Sequence, residues 1–314
     1  NLRGLMKKII ALALIACLFL SGCEFADSNT EVTSTTETTV AEPQPYPVTI
    51  NGITFEKAPE TVICLSPALT EIVYEMGYGE KLVGRSSYCD YPEEAKNLAD
   101  MGSSANPDIE KICAVKPELV LTSTPIAAKD VFTMEQLGIK TMVIESPETL
   151  EQFRAIYRAV GLMENGLFTG TEAGDSAYSP ISKACDNTGV VNMGSFVYIT
   201  EGKTAATGDT LESAVLSCFG TNLAKDGKRY SFDTAELLTN QPDVLLVSGI
   251  YTYDDIMADE TLSRLDAVIN GRIIYIDNTY FERPSARITE LIEKLLDDYK
   301  KLSAGEGPSQ AVIE

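Results

Sequence analysis

Residues 61–84 read TVICLSPALTEIVYEMGYGEKLVG. Residues 62–65 are a short apolar run that suits a buried strand. Ser66 follows as a helix N-cap, Pro67 suits the first helical turn, and Gly77 can end the helix. A second β-rich run, 82–84, comes next. A strand, a helix of about a dozen residues and another strand form the unit from which parallel sheets are built. The alternation continues through both halves of the chain. The β-rich runs are 62–65, 82–84, 119–122 and 141–144 in the first half. In the second they are 195–200, 222–224, 244–248 and 273–276. The pattern predicts an α/β fold of two lobes with parallel sheets.

Two further patterns support paired lobes. IEKICAVKPELVL (109–121) and TAELLTNQPDVLL (234–246) share an amphipathic helix, a Pro-acid break and a buried strand. They hold the same place in each half, which favours related lobes over a chance likeness of two αβ units. Between the halves, Phe153, Ile156, Tyr157 and Val160 fall on one side of a helix over 150–162. Gly166, Gly170 and Gly174 then recur every four residues. On a helix that spacing leaves one face open to close backbone approach. A long inter-lobe helix is expected here, kinked near Pro180. The last helix is marked by Ile288, Leu291, Ile292, Leu295, Leu296, Tyr299 and Leu302 on one face.

Composition narrows the function. Of 314 residues, 46 are acidic and 25 basic, a net charge of −21, which argues against nucleic acid as the main partner. There is no histidine. That removes Ser-His-Asp hydrolases, Cys-His proteases, His-ligated zinc or manganese and haem held through His. No tryptophan is present either. Neither G-x-S-x-G nor a P-loop occurs, and GYGEKLVG lacks dinucleotide-fingerprint spacing, so no catalytic motif supports an enzyme.

The first residues read as an address. Lys7 and Lys8 precede an apolar run over 9–20, too short to cross a bilayer and right for a signal peptide. Leu20-Ser21-Gly22-Cys23 resembles the bacterial lipobox, in which the Cys is lipidated and becomes the first mature residue. That reading is favoured over an ordinary signal peptide with a coincidental Cys. Residues 24–47 are rich in Thr, Ser, Glu and Pro and cannot bury a core. The expected organisation is a lipoprotein signal peptide over 1–22 and a lipid-anchored tether over 23–47. An N-terminal lobe over 48–147, an inter-lobe helical segment over 148–189, a C-terminal lobe over 190–303 and a disordered tail over 304–314 follow. Composition makes Glu56 the start of folded chain. Past the signal and Cys23, five cysteines remain: Cys64, Cys89, Cys113, Cys185 and Cys218. The number is odd and no C-x-x-C occurs, so no pairing is read.

TVICLSPALTEIVYEMGYGEKLVG, SSYCDYP (86–92), IEKICAVKPELVL and YFERPSARI (280–288) resemble the substrate-binding proteins of ABC importers. The match is to the class with two Rossmann-like lobes joined by a single long helix, which serves corrinoids, haem and ferric siderophores. Within it the chain is most similar to the cobalamin-binding branch. The likeness covers roughly 60–302. It implies a non-enzymatic, extracytoplasmic, monomeric protein that hands a small ligand to a permease and its ATPase. No catalytic cofactor or metal is implied; the transported ligand is a corrinoid or an iron chelate.

Independently of the resemblance, ligands of open parallel sheets sit beyond the carboxyl ends of the strands. Those ends carry Ser66 and Pro67, Ser86 to Tyr88, 122–124, 201–207 and 278–281. Tyr88, Tyr230, Tyr280 and Phe281 offer flat faces to a macrocycle, with phenol groups for its rim. Arg283 can meet carboxylates or amides, with Arg85, Arg287, Tyr251 and Tyr253 as further candidates. The family's cobalamin-like members pack Trp against the corrin. Here Ser104, Ser123, Tyr230 and Tyr280 fall where large aromatics are expected. Tyrosine can stack, and as phenolate it can ligate ferric iron, so a ferric siderophore or haem stays open. The resemblance also implies one docking acid on each lobe. Glu110, seven residues before Pro117, fits. The matching position before Pro242 is Ala235, so Glu236 or Asp233 is expected to substitute.

Overall fold

The computed structural model describes residues 44–306. The signal peptide, Cys23, most of the tether and residues 307–314 lie outside the described residues. Among the described residues no helix is long and apolar enough to cross a membrane.

The first ordered unit is a hairpin. β1 (Val48–Ile50) pairs antiparallel with β2 (Ile53–Phe55) around Asn51-Gly52, both in the left-handed region. Folded chain therefore starts before Glu56, and its first strand begins at residue 48. Tyr46 packs against the core, and its hydroxyl donates to the Met163 carbonyl at 2.8 Å.

The N-terminal sheet contains β3 (Val62–Cys64), β4 (Leu82–Arg85), β5 (Ala99–Asp100), β6 (Leu119–Thr122) and β7 (Lys140–Val143). All are parallel, in the order β5-β4-β3-β6-β7. α1 (Pro67–Glu75), α2 (Ile109–Val115) and α3 (Ala128–Glu135) fill the crossovers. β3 and β6 are buried along their whole length, as strands covered by helices on both faces must be. β5 has no counterpart in the sequence reading, since its two exposed residues carry no apolar pattern.

α4 (Leu150–Asn187) links the sheets. A capping box closes its start, with Gln152 N–H donating to the Thr149 hydroxyl and the Gln152 side chain accepting the Thr149 N–H. Its break is at Gly166, with φ of 70° and ψ of −167°, and not at the expected Pro180. Two helical arms fold back on each other there. Gly161 meets the Gly170 backbone, and Gly174 meets that of Arg158. A side chain at 166 would run into the Pro45 carbonyl, whose oxygen accepts the Leu167 N–H at 2.8 Å. Pro180 removes one helical donor on an exposed turn and the helix continues through it. Phe153, Tyr157 and Tyr178 lock the arms, with ring centroids 5.6–5.7 Å apart.

The C-terminal sheet contains β8 (Ser195–Ile199), β9 (Thr221–Asn222), β10 (Val244–Ser248) and β11 (Ile273–Ile276), parallel in the order β9-β8-β10-β11. Between its strands lie α5 (Leu211–Leu216), a 3-10 turn at Thr234–Leu238, α6 (Tyr253–Ala258) and α7 (Asp266–Ile269). α8 (Thr279–Glu282) and α9 (Ile288–Ser303) follow. α9 buries Ile288, Leu291, Ile292 and Leu295 and packs on α4 and β11.

Both sheets follow one plan. Each chain path starts centrally, runs outward to one edge, then crosses to the far side of its first strand. Strand order thus reverses between β3 and β6, and between β8 and β10. The internal echo marks this crossing: α2 leads into β6 and the 3-10 turn leads into β10. The second copy is a tighter, five-residue helix.

Candidate ligand-binding cleft

The cleft is built from loops at the carboxyl ends of both sheets. Ser66 caps α1, its hydroxyl accepting the Leu69 N–H at 3.5 Å, and is buried. That start aims Glu71 and Glu75, one helical turn apart, at the segment after β11. Ser285 donates to Glu71 at 2.7 Å, and the Ala286 N–H donates to Glu75 at 3.0 Å. Tyr157 on α4 also donates to Glu75, at 2.7 Å. Arg287 reaches Glu71 at 3.5 Å. Its guanidinium lies 4.7 Å from the Tyr91 ring centre and 5.4 Å from that of Tyr280. Arg283 pairs with Asp90, two residues beyond Tyr88. Segments that leave β3, β4 and β11 therefore meet along one seam.

Burial governs the seam's electrostatics. The Glu71 side chain is 1% exposed. Desolvation raises its pKa, against the opposing hydrogen bond from Ser285 and charge of Arg287. Glu75 is exposed as a residue, yet its oxygens are engaged by Tyr157 and Ala286. Its pKa too is raised, first by desolvation.

Elsewhere on the C-terminal lobe, in the segment after β9, Arg229 and Tyr230 have φ of 51° and 60°. Two successive non-glycine residues in that region each cost roughly 1 kcal/mol or more, so the surroundings must hold them there. Asp209 does so by accepting the Arg229 N–H at 3.0 Å, and Thr207 by accepting the Tyr230 N–H at 3.0 Å. The result presents the Tyr230 ring, 37% exposed, with its hydroxyl donating to Glu212 at 2.9 Å. Desolvation and then the Glu212 charge raise the pKa of this phenol, and the Glu148 carboxylate beyond β7 adds to the effect. Glu148 thus brings a third N-terminal strand exit to the C-terminal lobe.

The remaining candidates divide by role. Tyr88 is 63% exposed and free to meet a ligand. Tyr280 is half-buried, with its hydroxyl donating to Glu290 at 3.3 Å. Phe281 packs on the Tyr198 ring, 6.0 Å between centroids, and Tyr198 in turn donates to Asn278. Pro67 is the first residue of α1. Arg85 donates to the Ser86 and Lys96 carbonyls, and Tyr251 to those of Thr200 and Glu201, so both brace loops of their own lobe. Glu110 is exposed in the first turn of α2, and Glu236 is exposed in the 3-10 turn. A hollow of about 520 Å³ lies beside this set and is lined by Asn51, Ile144, Ser146, Glu148, Gln152 and Ala159. Its walls come mostly from the segment after β7 and the start of α4, and none of the aromatic candidates lines it. Among the described residues no three His, Cys, Asp or Glu side chains are grouped to hold a metal.

Asp90, Tyr91, Glu71, Glu75 and Glu212 were not among the sequence candidates. One signal pointed to Glu71 and Glu75. Glu71 and Glu75 repeat at helical spacing, as do Arg283 and Arg287, with opposite sign.

Residues 62–280 match the family described as "Periplasmic binding protein". A vitamin B12-binding protein of Vibrio campbellii is 25% identical over 261 residues, covering 81% of this chain and 94% of the relative. The crystal structure of the periplasmic vitamin B12-binding protein of Vibrio cholerae superposes with a TM-score of 0.61 at 23% identity, covering 79% of this chain and 98% of that one. The periplasmic heme-binding protein of the same organism gives 0.64 at 17% identity, covering 76% and 97%.

Proposed function

This chain belongs to the periplasmic binding protein family, and from that premise we propose that it captures a corrinoid, cobalamin or a precursor, for an ABC importer. The observation that carries the reading is the seam: strand-exit loops of two parallel sheets converge there, and aromatic side chains stand at both of its banks. Tyr88 on the N-terminal bank and Tyr230 and Tyr280 on the C-terminal one are the stacking faces. Phe281 backs the site and Arg283 offers charge to amide or carboxylate groups. Ser66 and Pro67 set the floor. No covalent chemistry is required of any of them, so the protein is a carrier and not an enzyme.

In this reading the lobes are 48–147 and 190–303, linked by 148–189. Cys23 carries the lipid that holds the protein outside the cytoplasm, on the cell membrane. Glu110 and Glu236 face the permease, and the carrier works as a monomer. A ferric siderophore or haem is the second reading, since a tyrosine phenolate can hold ferric iron. It ranks lower on one observation: the Tyr230 and Tyr280 phenols are both pushed up by burial and by Glu212 or Glu290, which opposes phenolate formation.

The test is titration of the purified protein with cobinamide, cobalamin, haemin and a ferric hydroxamate, followed by visible absorbance and calorimetry. Saturable one-to-one binding of a corrinoid supports the proposal. Saturation by haemin or the hydroxamate alone would replace it with the second reading.

A further inference from the structure

Outside the cleft, two half-buried thiols meet. Cys185 lies near the end of α4 and Cys218 in the turn after α5. They stand 33 residues apart in the chain. Both nevertheless line one hollow of about 280 Å³, together with Arg154, Tyr178, Ser182 and Asp186. The Thr188 hydroxyl lies within hydrogen-bonding distance of both their carbonyls, at 2.7 Å from that of Cys185. One oxygen atom thus sits between the two backbones. The Cys218 thiol donates to the Ala214 carbonyl at 3.9 Å, the two cysteine side chains act on each other's ionisation, and both are free thiols. Cys64 and Cys89 are buried much deeper.

We propose that Cys185 and Cys218 are a redox pair that forms a reversible disulfide, fastening the end of the inter-lobe helix to the C-terminal lobe. Cys218 is the attacking thiol. The Cys185 S–H stabilises its thiolate and lowers its pKa, while the same contact and burial raise that of Cys185. The oxidant is a disulfide, either a small-molecule one or that of an oxidoreductase. Cys218 thiolate attacks one of its sulfurs and expels the other as thiolate. Cys185 then loses its proton, attacks the Cys218 sulfur and expels the second thiolate. Two protein thiols become one disulfide, and the oxidant takes up two electrons and is released as two thiols. The hollow gives the oxidant access to the pair. This inference does not depend on which ligand the cleft takes.

The test oxidises the full chain with glutathione disulfide, alkylates remaining thiols after unfolding and maps peptides without reduction. The expected result is one peptide pair joined through residues 185 and 218, reopened by dithiothreitol. Cys185→Ser should trap glutathione on Cys218. Closing a loop of this size should raise the unfolding midpoint of the oxidised protein by roughly 5–10 °C over the reduced form. That difference should vanish in Cys185→Ser and in Cys218→Ser. Alkylation of both cysteines after oxidation, or linkage of either to another cysteine, would overturn the pairing. A linked pair without the thermal difference would overturn the fastening role.

Discussion

Gly161→Ala sets two effects of opposite sign against each other in α4. Alanine is the better helix former, by about 1 kcal/mol in a helix interior. Against that, the added Cβ would lie 2.1 Å from the Gly170 carbonyl oxygen and 2.9 Å from the Gly174 nitrogen. Ordinary contact needs roughly 3.4 Å or more, so the arms must part by about 1 Å. Both obstacles are backbone, and no rotamer change relieves them. Overpacking of this kind costs about 1–3 kcal/mol. Parting the arms also loosens the Phe153, Tyr157 and Tyr178 rings, whose contacts are worth roughly 0.5–1.5 kcal/mol a pair. The net expectation is a loss of about 2 kcal/mol, or a melting midpoint lowered by roughly 4–8 °C for a fold of this size. Urea denaturation and calorimetry read both numbers. Gly189→Ala is the control, since its Cβ would meet nothing within 4 Å, and it should leave the midpoint within about 1–2 °C of wild type. If Gly161→Ala proves as stable as the parent, helix propensity decides and the close approach of the arms is not what requires glycine.

Three further outcomes follow from the cleft and its borders. Tyr230→Ala and Tyr280→Ala should each weaken corrinoid binding by about 1 kcal/mol or more; unchanged calorimetric titrations for both would remove them from the site. Glu71 and Glu75 have raised pKa values, so the stability linked to their protonation is complete below the unfolded carboxylate pKa and is lost as pH climbs through the raised values. The urea midpoint should therefore rise as pH falls from 7 towards 5, less steeply in Glu71→Gln, and an identical slope in that variant would exclude Glu71 as a source. Glu110→Arg should keep ligand affinity yet slow uptake in vesicles reconstituted with the cognate permease, with a weaker salt dependence than wild type; normal uptake would end the docking role.

What the sequence disclosed depended on whether a feature is local. Runs such as 119–122 and 244–248 are legible because strands covered on both faces must be apolar throughout. The hairpin at 48–55 was equally local, since Asn51-Gly52 between Val-Thr-Ile and Ile-Thr-Phe is a turn signal, and it begins at the expected lobe boundary although composition alone placed folded chain only from Glu56. Gly166 and Pro180 show the opposite case. By propensity Pro180 is the stronger breaker, yet the break lies where Pro45 and the second arm crowd the chain. No local rule carries that contact. In the cleft, aromatic type and strand-end position were enough to nominate Tyr88, Tyr230 and Tyr280. Glu71 and Glu75 instead read as an ordinary helix surface until Ser285 and Ala286 are laid against them. The approach of Cys185 and Cys218 joins residues 33 apart in the chain and has no motif at all.

The seam also bears on how the cleft can respond to a ligand. Spreading the lobes by a hinge at α4 would separate Ser285 and Arg287 from Glu71, Ala286 from Glu75 and Arg283 from Asp90. Hydrogen bonds to charged groups contribute about 1.5–3 kcal/mol each where they are buried, and Glu71 would lose its partners before water fully reached it. The exposed Arg283–Asp90 pair adds little. Opening therefore costs several kcal/mol, and a ligand can drive it only by binding the open form better by that amount. Adaptation is cheaper in the loops: Tyr88 is largely exposed, and Tyr230 sits at a tip held by Asp209 and Thr207. The seam thus favours a nearly rigid pair of lobes whose aromatic tips adjust to the ligand, so that bound and empty proteins present Glu110 and Glu236 at almost the same separation.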